Sequence, residues 1–476
     1  MRKKLSLFTT MTAASVLLLS GCGAKKPQIY FWTGFGTSIT DSLTRLISQY
    51  QQDNDEYEIV LETDGGGYDS LQRKIGLSVT SETYPHLAVG YPDHMAGYIG
   101  FNILQPLDEF IEAEGPAFIE DFHQDYLVEN QSLETDREGN QLTWGLPFNK
   151  STEVMVANKT FLDYVQTFDA SIVTPETWEE AEVVGEKILK VMKDNDLYGK
   201  EVNHGDKILN LNFKEEEFRP FSWDSTANMF ITIVREWGGT YTKADSWQRG
   251  TYQFDSAETR EALTFFKGLA DAKIMGVPQN WGESSYSSIP FNANKTVFTI
   301  SSSAGVKYNV PKLLDEKYNF EITINPIPYH EGATPMVISQ GTNLLMFKKG
   351  DEAEQAFVWD FIKYLTTEVN DVFGLENAYY PVTKSMLNSQ TYVDFLSNVE
   401  GKPADERAVV DAARVNAEVY DAPGSEWRKF VDPGFVRSNV IREHVGNIIP
   451  AIFVNNSSVE AALKTATDIL AEFAPK

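Results

Sequence analysis

Residues 28–62 read Gln28-Ile29-Tyr30-Phe31-Trp32, then Ile39, Leu43, Leu46, Ile47 and Tyr50 at three- and four-residue spacing, then Tyr57-Glu58-Ile59-Val60-Leu61-Glu62. The first and last runs have the composition of buried strands. The middle one stacks its apolar positions on one face of a helix over residues 37–53. The next segments repeat the pattern, with a helix at 71–79 and a strand at 86–90. Alternation of this kind implies βαβ units on a mainly parallel sheet, and hence an α/β protein.

Further along, the polar run 134–141 predicts a hairpin or loop, and 153–157 another strand. Thr174-Pro175-Glu176-Thr177-Trp178-Glu179-Glu180 announces a helix, with proline presetting the first turn and acids facing the positive end of the dipole. A long helix is expected over 255–272 with Ser256 as its cap, strands at 296–300 and 320–327, and helices at 352–365 and 459–473. There is no internal repeat and no low-complexity tract. The chain is longer than one core usually supports, so two lobes are expected.

Toward the N-terminus, Arg2, Lys3 and Lys4 precede a mostly apolar stretch, 5–19, that ends in Leu19-Ser20-Gly21-Cys22. That pattern predicts a signal peptide over 1–21 with a lipobox, cleavage before Cys22, lipid on its sulfur and a tether over 22–27. The expected location is the outer face of a cell membrane, held by the lipid anchor. Thr9, Thr10, Thr12 and Ser15 interrupt the apolar run and argue against a spanning helix. Cys22 is the only cysteine, so lipidation leaves no disulfide, thiol nucleophile or cysteine metal ligand. The formal net charge of −27 disfavours nucleic acid and anionic lipid as partners.

In its order of segments the chain resembles the family 1 extracellular solute-binding proteins of ABC importers, the maltose-binding-protein-like group. Phe31-Trp32, Gly145-Leu146-Pro147-Phe148-Asn149-Lys150-Ser151-Thr152, Pro175-Glu176-Thr177-Trp178, Asn294-Lys295-Thr296-Val297-Phe298-Thr299-Ile300 and Tyr379-Tyr380-Pro381-Val382-Thr383-Lys384 carry the likeness. The resemblance implies a two-lobed periplasmic-binding-protein-like fold of type II. It has three hinge crossings, near 149–152, 326–328 and 379–381, and closes on ligand about that hinge. Residues 28–150 and 328–379 would form one lobe, and 151–327 and 380–476 the other. It also implies a monomer without cofactor that hands a small solute to a membrane permease driven by a separate ATPase.

Within that family the chain looks most like the glycerol-3-phosphate-binding lipoproteins. The resemblance places Tyr68, Ser151, Ser302, Gly341, Tyr379 and Arg442 on the ligand, with the guanidinium on phosphate and tyrosine on glycerol. Those proteins carry a glutamate where this chain has Pro92, and Asp93 is the nearest carboxylate. A neutral sugar or oligosaccharide is the alternative solute, held by aromatic faces beside carboxylates. Trp32, Tyr91, Trp223, Trp237 and Trp281 are the rings in loops or at strand ends, and Trp223-Asp224 is the pair singled out.

A secreted carbohydrate-active enzyme is the competing class. Its two carboxylates cannot be picked from 68 acidic residues. The sequence lacks a Gly-x-Ser-x-Gly elbow, and Gly65-Gly66-Gly67 lacks the Lys-Ser/Thr of a phosphate loop, so it reads as a turn delivering Tyr68. The histidines have no zinc spacing, and 194–205 fails as a calcium loop at its fifth and twelfth positions.

Overall fold

The computed structural model describes residues 26–131 and 141–472. The expected signal peptide, Cys22 and residues 134–140 of the expected loop therefore lie outside the described residues. Ten strands build two five-stranded sheets: β1 (Gln28–Thr33), β2 (Glu58–Thr63), β3 (Leu87–Gly90), β4 (Leu146–Pro147), β5 (Glu153–Asn158), β6 (Phe221–Trp223), β7 (Met275–Gly276), β8 (Phe298–Ser302), β9 (Ile322–Asn325) and β10 (Asn343–Met346). One sheet runs β2-β1-β3-β10-β4 and the other β7-β6-β8-β5-β9.

The two sheets are built alike. In the first, β1, β2 and β3 are parallel, as βαβ units require, and β10 returns antiparallel on β3 with Asn343 opposite Gly90. In the second, β6, β7 and β8 are parallel, and β5 lies antiparallel on β8 with Glu153 opposite Ser302. In each case the antiparallel strand has just arrived from the other lobe, so it enters running the opposite way. Each sheet has its own core. Phe31, Leu43, Leu87 and Phe361 belong to one, and Val156, Trp178, Phe221 and Phe298 to the other.

The helix expected over 37–53 runs Thr37–Tyr50 and buries Leu43, Leu46, Ile47 and Tyr50 against the first sheet. Ser256 caps helix Ala257–Asp271 through Thr259 N–H at 3.2 Å, as expected. Pro175 is a different case. The helix is Trp178–Asp194, capped by Thr177 on Glu180 N–H at 3.2 Å, so the proline lies outside it. A hydroxyl acceptor satisfies an orphan amide and outweighs the proline signal.

Three segments connect the lobes, and they are hydrogen-bonded to one another. Ser151 N–H donates to Gln340 carbonyl at 3.1 Å, Gln340 N–H to Ser151 carbonyl at 2.8 Å, and Tyr380 N–H to Lys150 carbonyl at 2.8 Å. The second passage is therefore at 339–342, not at 326–328. Ile327 and Val337 pack in the second core, and Trp178 N–H donates to Tyr329 carbonyl at 3.0 Å. Pro326 and Pro328 only stop β9. The third boundary also moves. Val382 packs in the first core, and Lys384 N–H reaches Asp121 carbonyl at 2.8 Å, so the chain touches the first lobe again after 380. It joins the second core with helix Ala404–Arg414 through Ala408 and Ala412.

Lys150 sits among these crossings, fully buried, and its Nζ donates to Glu129 and to the Gly341 carbonyl at 3.2 Å. Glu129 also accepts Asn343 Nδ2 at 2.7 Å. Burial pushes the lysine's proton affinity down, and Glu129 opposes that shift. Gly341 has φ +100°, and a Cβ there would stand 1.7 Å from the Asn149 carbonyl oxygen, so only glycine lets these crossings meet.

The second lobe buries an acid of its own. Glu153 accepts Trp223 Nε1 at 3.0 Å and Asn228 Nδ2 at 2.9 Å, and burial pushes its carboxyl up to about 7. Trp223 itself is wholly buried and stacks on Trp178 at 5.4 Å.

Lys150→Ala leaves Glu129 buried without its cation and is expected to cost about 3–5 kcal/mol in chemical denaturation, much of it recovered in Lys150→Met/Glu129→Leu. Glu153 has a folded pKa above its ordinary 4.5, so the folded state holds a proton that the unfolded chain has released. Stability should fall as pH rises from 4.5 toward 7, by up to about 3 kcal/mol from this group. Glu153→Gln should flatten that fall; an unchanged slope contradicts the assignment.

Candidate functional site

Between the two sheets lie two adjoining chambers, of about 560 and 340 Å³, that share Tyr68, Tyr91, Gln340 and Gly341. The shared residues come from loops after strand ends and from the second crossing. Asp64 Oδ1 accepts Gly66 N–H at 2.9 Å, and Gly67 turns with φ +77° at the start of helix Gly67–Ser78, which puts Tyr68 on its first turn. The triple glycine thus does deliver Tyr68. Its ring meets Tyr91 edge-on at 5.2 Å and Phe35 at 6.0 Å.

The larger chamber takes Tyr68, Ser151, Ser302, Gly341 and Tyr379. Ser302 Oγ donates to Ser151 Oγ at 3.3 Å, joining the end of β8 to the first crossing. Burial raises the pKa of Tyr68, Tyr91 and Tyr379, so all three phenols remain protonated donors at neutral pH. From the second lobe come Asp224, Tyr286 and Tyr308. Asp224 accepts Ser287 N–H at 2.6 Å, and burial pushes its carboxyl up to about 6 against that bond. Tyr286 and Tyr308 are 68% and 61% exposed, open rings at the chamber mouth.

The smaller chamber takes Tyr68, Asp93, Gly341 and Arg442. Asp93 Oδ1 accepts His94 N–H at 2.9 Å in the first turn of helix Pro92–Gly100. Arg442, on helix Ser438–Gly446, donates through one terminal nitrogen to Asp432 Oδ2 at 2.7 Å and through the other to Asn228 Oδ1. Burial works against its charge, but Asp432, Tyr241 and Asp93 outweigh that and hold its proton tightly. Five carboxylates line this chamber; Glu129 is paired with Lys150 and Asp432 with Arg442, and Asp69, Asp93 and Glu443 leave its field negative.

The structure thus brings Tyr68, Asp93, Ser151, Ser302, Gly341, Tyr379 and Arg442 to one cleft. Trp223 is the exception. It lies in the core below, and its neighbour Asp224 alone reaches the chamber. Of the other rings weighed, Tyr91 lines both chambers. Trp32 lies in the first core under Lys74 Nζ at 3.9 Å, Trp237 stacks on His330 at 3.9 Å, and Trp281 donates to Glu217 carbonyl at 2.7 Å. The acid paired with Arg442 is Asp432, ten residues before it. Asp432, Tyr286 and Tyr308 were missed. Tyr286 stands in Ser284-Ser285-Tyr286-Ser287-Ser288, an aromatic in a serine loop, which was a usable signal. Among the described residues no group of three or more His, Cys, Asp or Glu is placed to hold a metal ion.

The fold is shared with solved binding proteins. UgpB from Mycobacterium tuberculosis, in complex with glycerophosphocholine, is 17% identical with TM-score 0.70, covering 94% of this chain and 98% of its own. The cyclic alpha-maltosyl-1,6-maltose binding protein from Arthrobacter globiformis is 17% identical with TM-score 0.66, over 93% and 97%. The GacH receptor of Streptomyces glaucescens, described unliganded and with acarbose, is 13% identical with TM-score 0.65, over 94% and 98%. No curated protein sequence matches the chain. Residues 45–395 match the model for bacterial extracellular solute-binding protein, and with two lobes, three crossings and a lined cleft between them, this chain belongs to that family.

Proposed function

We propose that the protein is the lipid-anchored binding component of an ABC importer, and that its cleft closes on a neutral saccharide of more than one ring. The carrying observation is that Arg442, the guanidinium expected to take a phosphate, is already matched by Asp432 in an acid-lined chamber. A phosphate dianion brought there meets like charge on most sides. Sugar hydroxyls do not. They are served by carboxylate and amide acceptors and by phenol donors, while tyrosine faces cover the C–H surfaces of the rings.

Two joined chambers and the open rings of Tyr286 and Tyr308 give room beyond a single small polyol. The acarbose and cyclic maltosyl-maltose ligands of two structural neighbours support the same class. In this reading the lobes turn about 149–151, 339–342 and 379–381, and closure follows from tighter binding to the closed form. Cys22 keeps a monomeric trap beside its permease, and the solute is passed on chemically unchanged.

A glycerophosphodiester is the second reading. The glycerophosphocholine bound by the Mycobacterium tuberculosis neighbour favours it, as do the six matched positions Tyr68, Ser151, Ser302, Gly341, Tyr379 and Arg442. Thermal unfolding with maltotriose, mannotriose, acarbose, glycerol 3-phosphate and glycerophosphocholine separates the two. A neutral oligosaccharide should stabilise the protein, by about 2.7 kcal/mol at a hundred times its Kd. Tyr68→Ala, which removes a ring common to both chambers, should weaken that binding by about tenfold. Stabilisation by the phosphate compounds alone overturns the saccharide reading, and hydrolysis of a bound glycan at enzymatic rates overturns the binding-only role.

A further inference from the structure

We propose that Asp432 is the residue that sets the charge class of the solute, a role that rests on the saccharide reading of the same cleft. Asp432 stands in the loop before helix Ser438–Gly446 and accepts Arg442 at 2.7 Å and Tyr241 OH at 3.2 Å, both on Oδ2. Its other oxygen, Oδ1, is buried with no hydrogen-bond partner among the described residues. A carboxylate kept half-satisfied in this way is costly, and a neutral amide of the same shape could still accept Tyr241 and Arg442 on its oxygen, without the charge assistance. What the amide cannot do is cancel the guanidinium charge.

The geometry divides the two properties of Arg442. A guanidinium carries five N–H donors, and two are accounted for by Asp432 and Asn228. Arg442 lines the chamber with its side chain 30% exposed, so its remaining donors are the ones a ligand acceptor could use, while its net charge is balanced at 2.7 Å. A pair of this kind still binds hydroxyl oxygens and has lost its preference for anions. Asn228 holds the arrangement from the far side, since its Nδ2 donates to Glu153 Oε1 at 2.9 Å while its Oδ1 accepts Arg442.

Asp432→Asn keeps the shape and removes the charge, so it is expected to admit glycerol 3-phosphate. Calorimetry of the whole secreted domain should show glycerol 3-phosphate binding rising at least about tenfold over the parent, falling again with added salt, and lost in Asp432→Asn/Arg442→Gln. Asp432→Ser removes the same charge with less bulk and serves if the asparagine variant is unfolded by circular dichroism. Asn228→Ala loosens Arg442 without changing charge and should give no gain. A folded Asp432→Asn or Asp432→Ser with no gain overturns the proposal, and so does an equal gain in Asn228→Ala, which would make position rather than charge the cause. The parent protein is the separate control: tight glycerol 3-phosphate binding there contradicts the saccharide reading, while the ratio of variant to parent still decides the role of Asp432.

Discussion

One buried cation holds the point where the chain passes between lobes. Lys150 lies in the first crossing, reaches the carbonyl of Gly341 in the second, and through its own carbonyl receives Tyr380 N–H from the third. Glu129 supplies the charge that makes this possible in the interior, and Asn343 ties that acid to β10. An ammonium away from water needs such a partner and a full set of acceptors, so it keeps the three crossings together. The same close approach leaves no space for a side chain at Gly341. The chambers form on either side of this knot and share Gln340 and Gly341 as their common wall.

Charge then sorts what the cleft accepts. The chain is acidic overall, and the smaller chamber concentrates that sign on five carboxylates. Arg442 does not reverse it, because Asp432 and Asn228 use its two ends. Tyr68, Tyr91 and Tyr379 remain protonated through burial, so they contribute donors and faces but no charge. The site is therefore rich in hydrogen-bonding groups, and its lining cations are Arg442, paired with Asp432, and Lys307 on the wall of the larger chamber. On the proposed reading, the acid-lined smaller chamber is what favours a saccharide over a phosphate.

Much of this was legible in the sequence, and the failures have physical causes. The period change across 28–62 gave β1, the first helix and β2, because burial on one face imposes the spacing. Seven of the eight expected ligand residues meet in the cleft: Ser151, Ser302, Gly341 and Tyr379 lie at a strand end or crossings, and Tyr68, Asp93 and Arg442 on helices that face it. The second crossing was misplaced because prolines at 326 and 328 end a strand equally well without leaving the lobe. Trp223 was misread because a strand of three residues looks like a loop, while its stacking on Trp178 and its bond to Glu153 are contacts across the fold. Asp432 could not be recognised, because its role depends on a geometry that a separation of ten residues from Arg442 does not reveal.

A neutral oligosaccharide is expected to draw the two lobes together about the crossings at Lys150, Gly341 and Tyr380. Small-angle X-ray scattering of the secreted domain tests it directly, recorded alone and with saturating maltotriose, mannotriose or acarbose. At least one of these saccharides is expected to lower the radius of gyration while glycerol 3-phosphate leaves it unchanged. Contraction with glycerol 3-phosphate and none with any saccharide would contradict it.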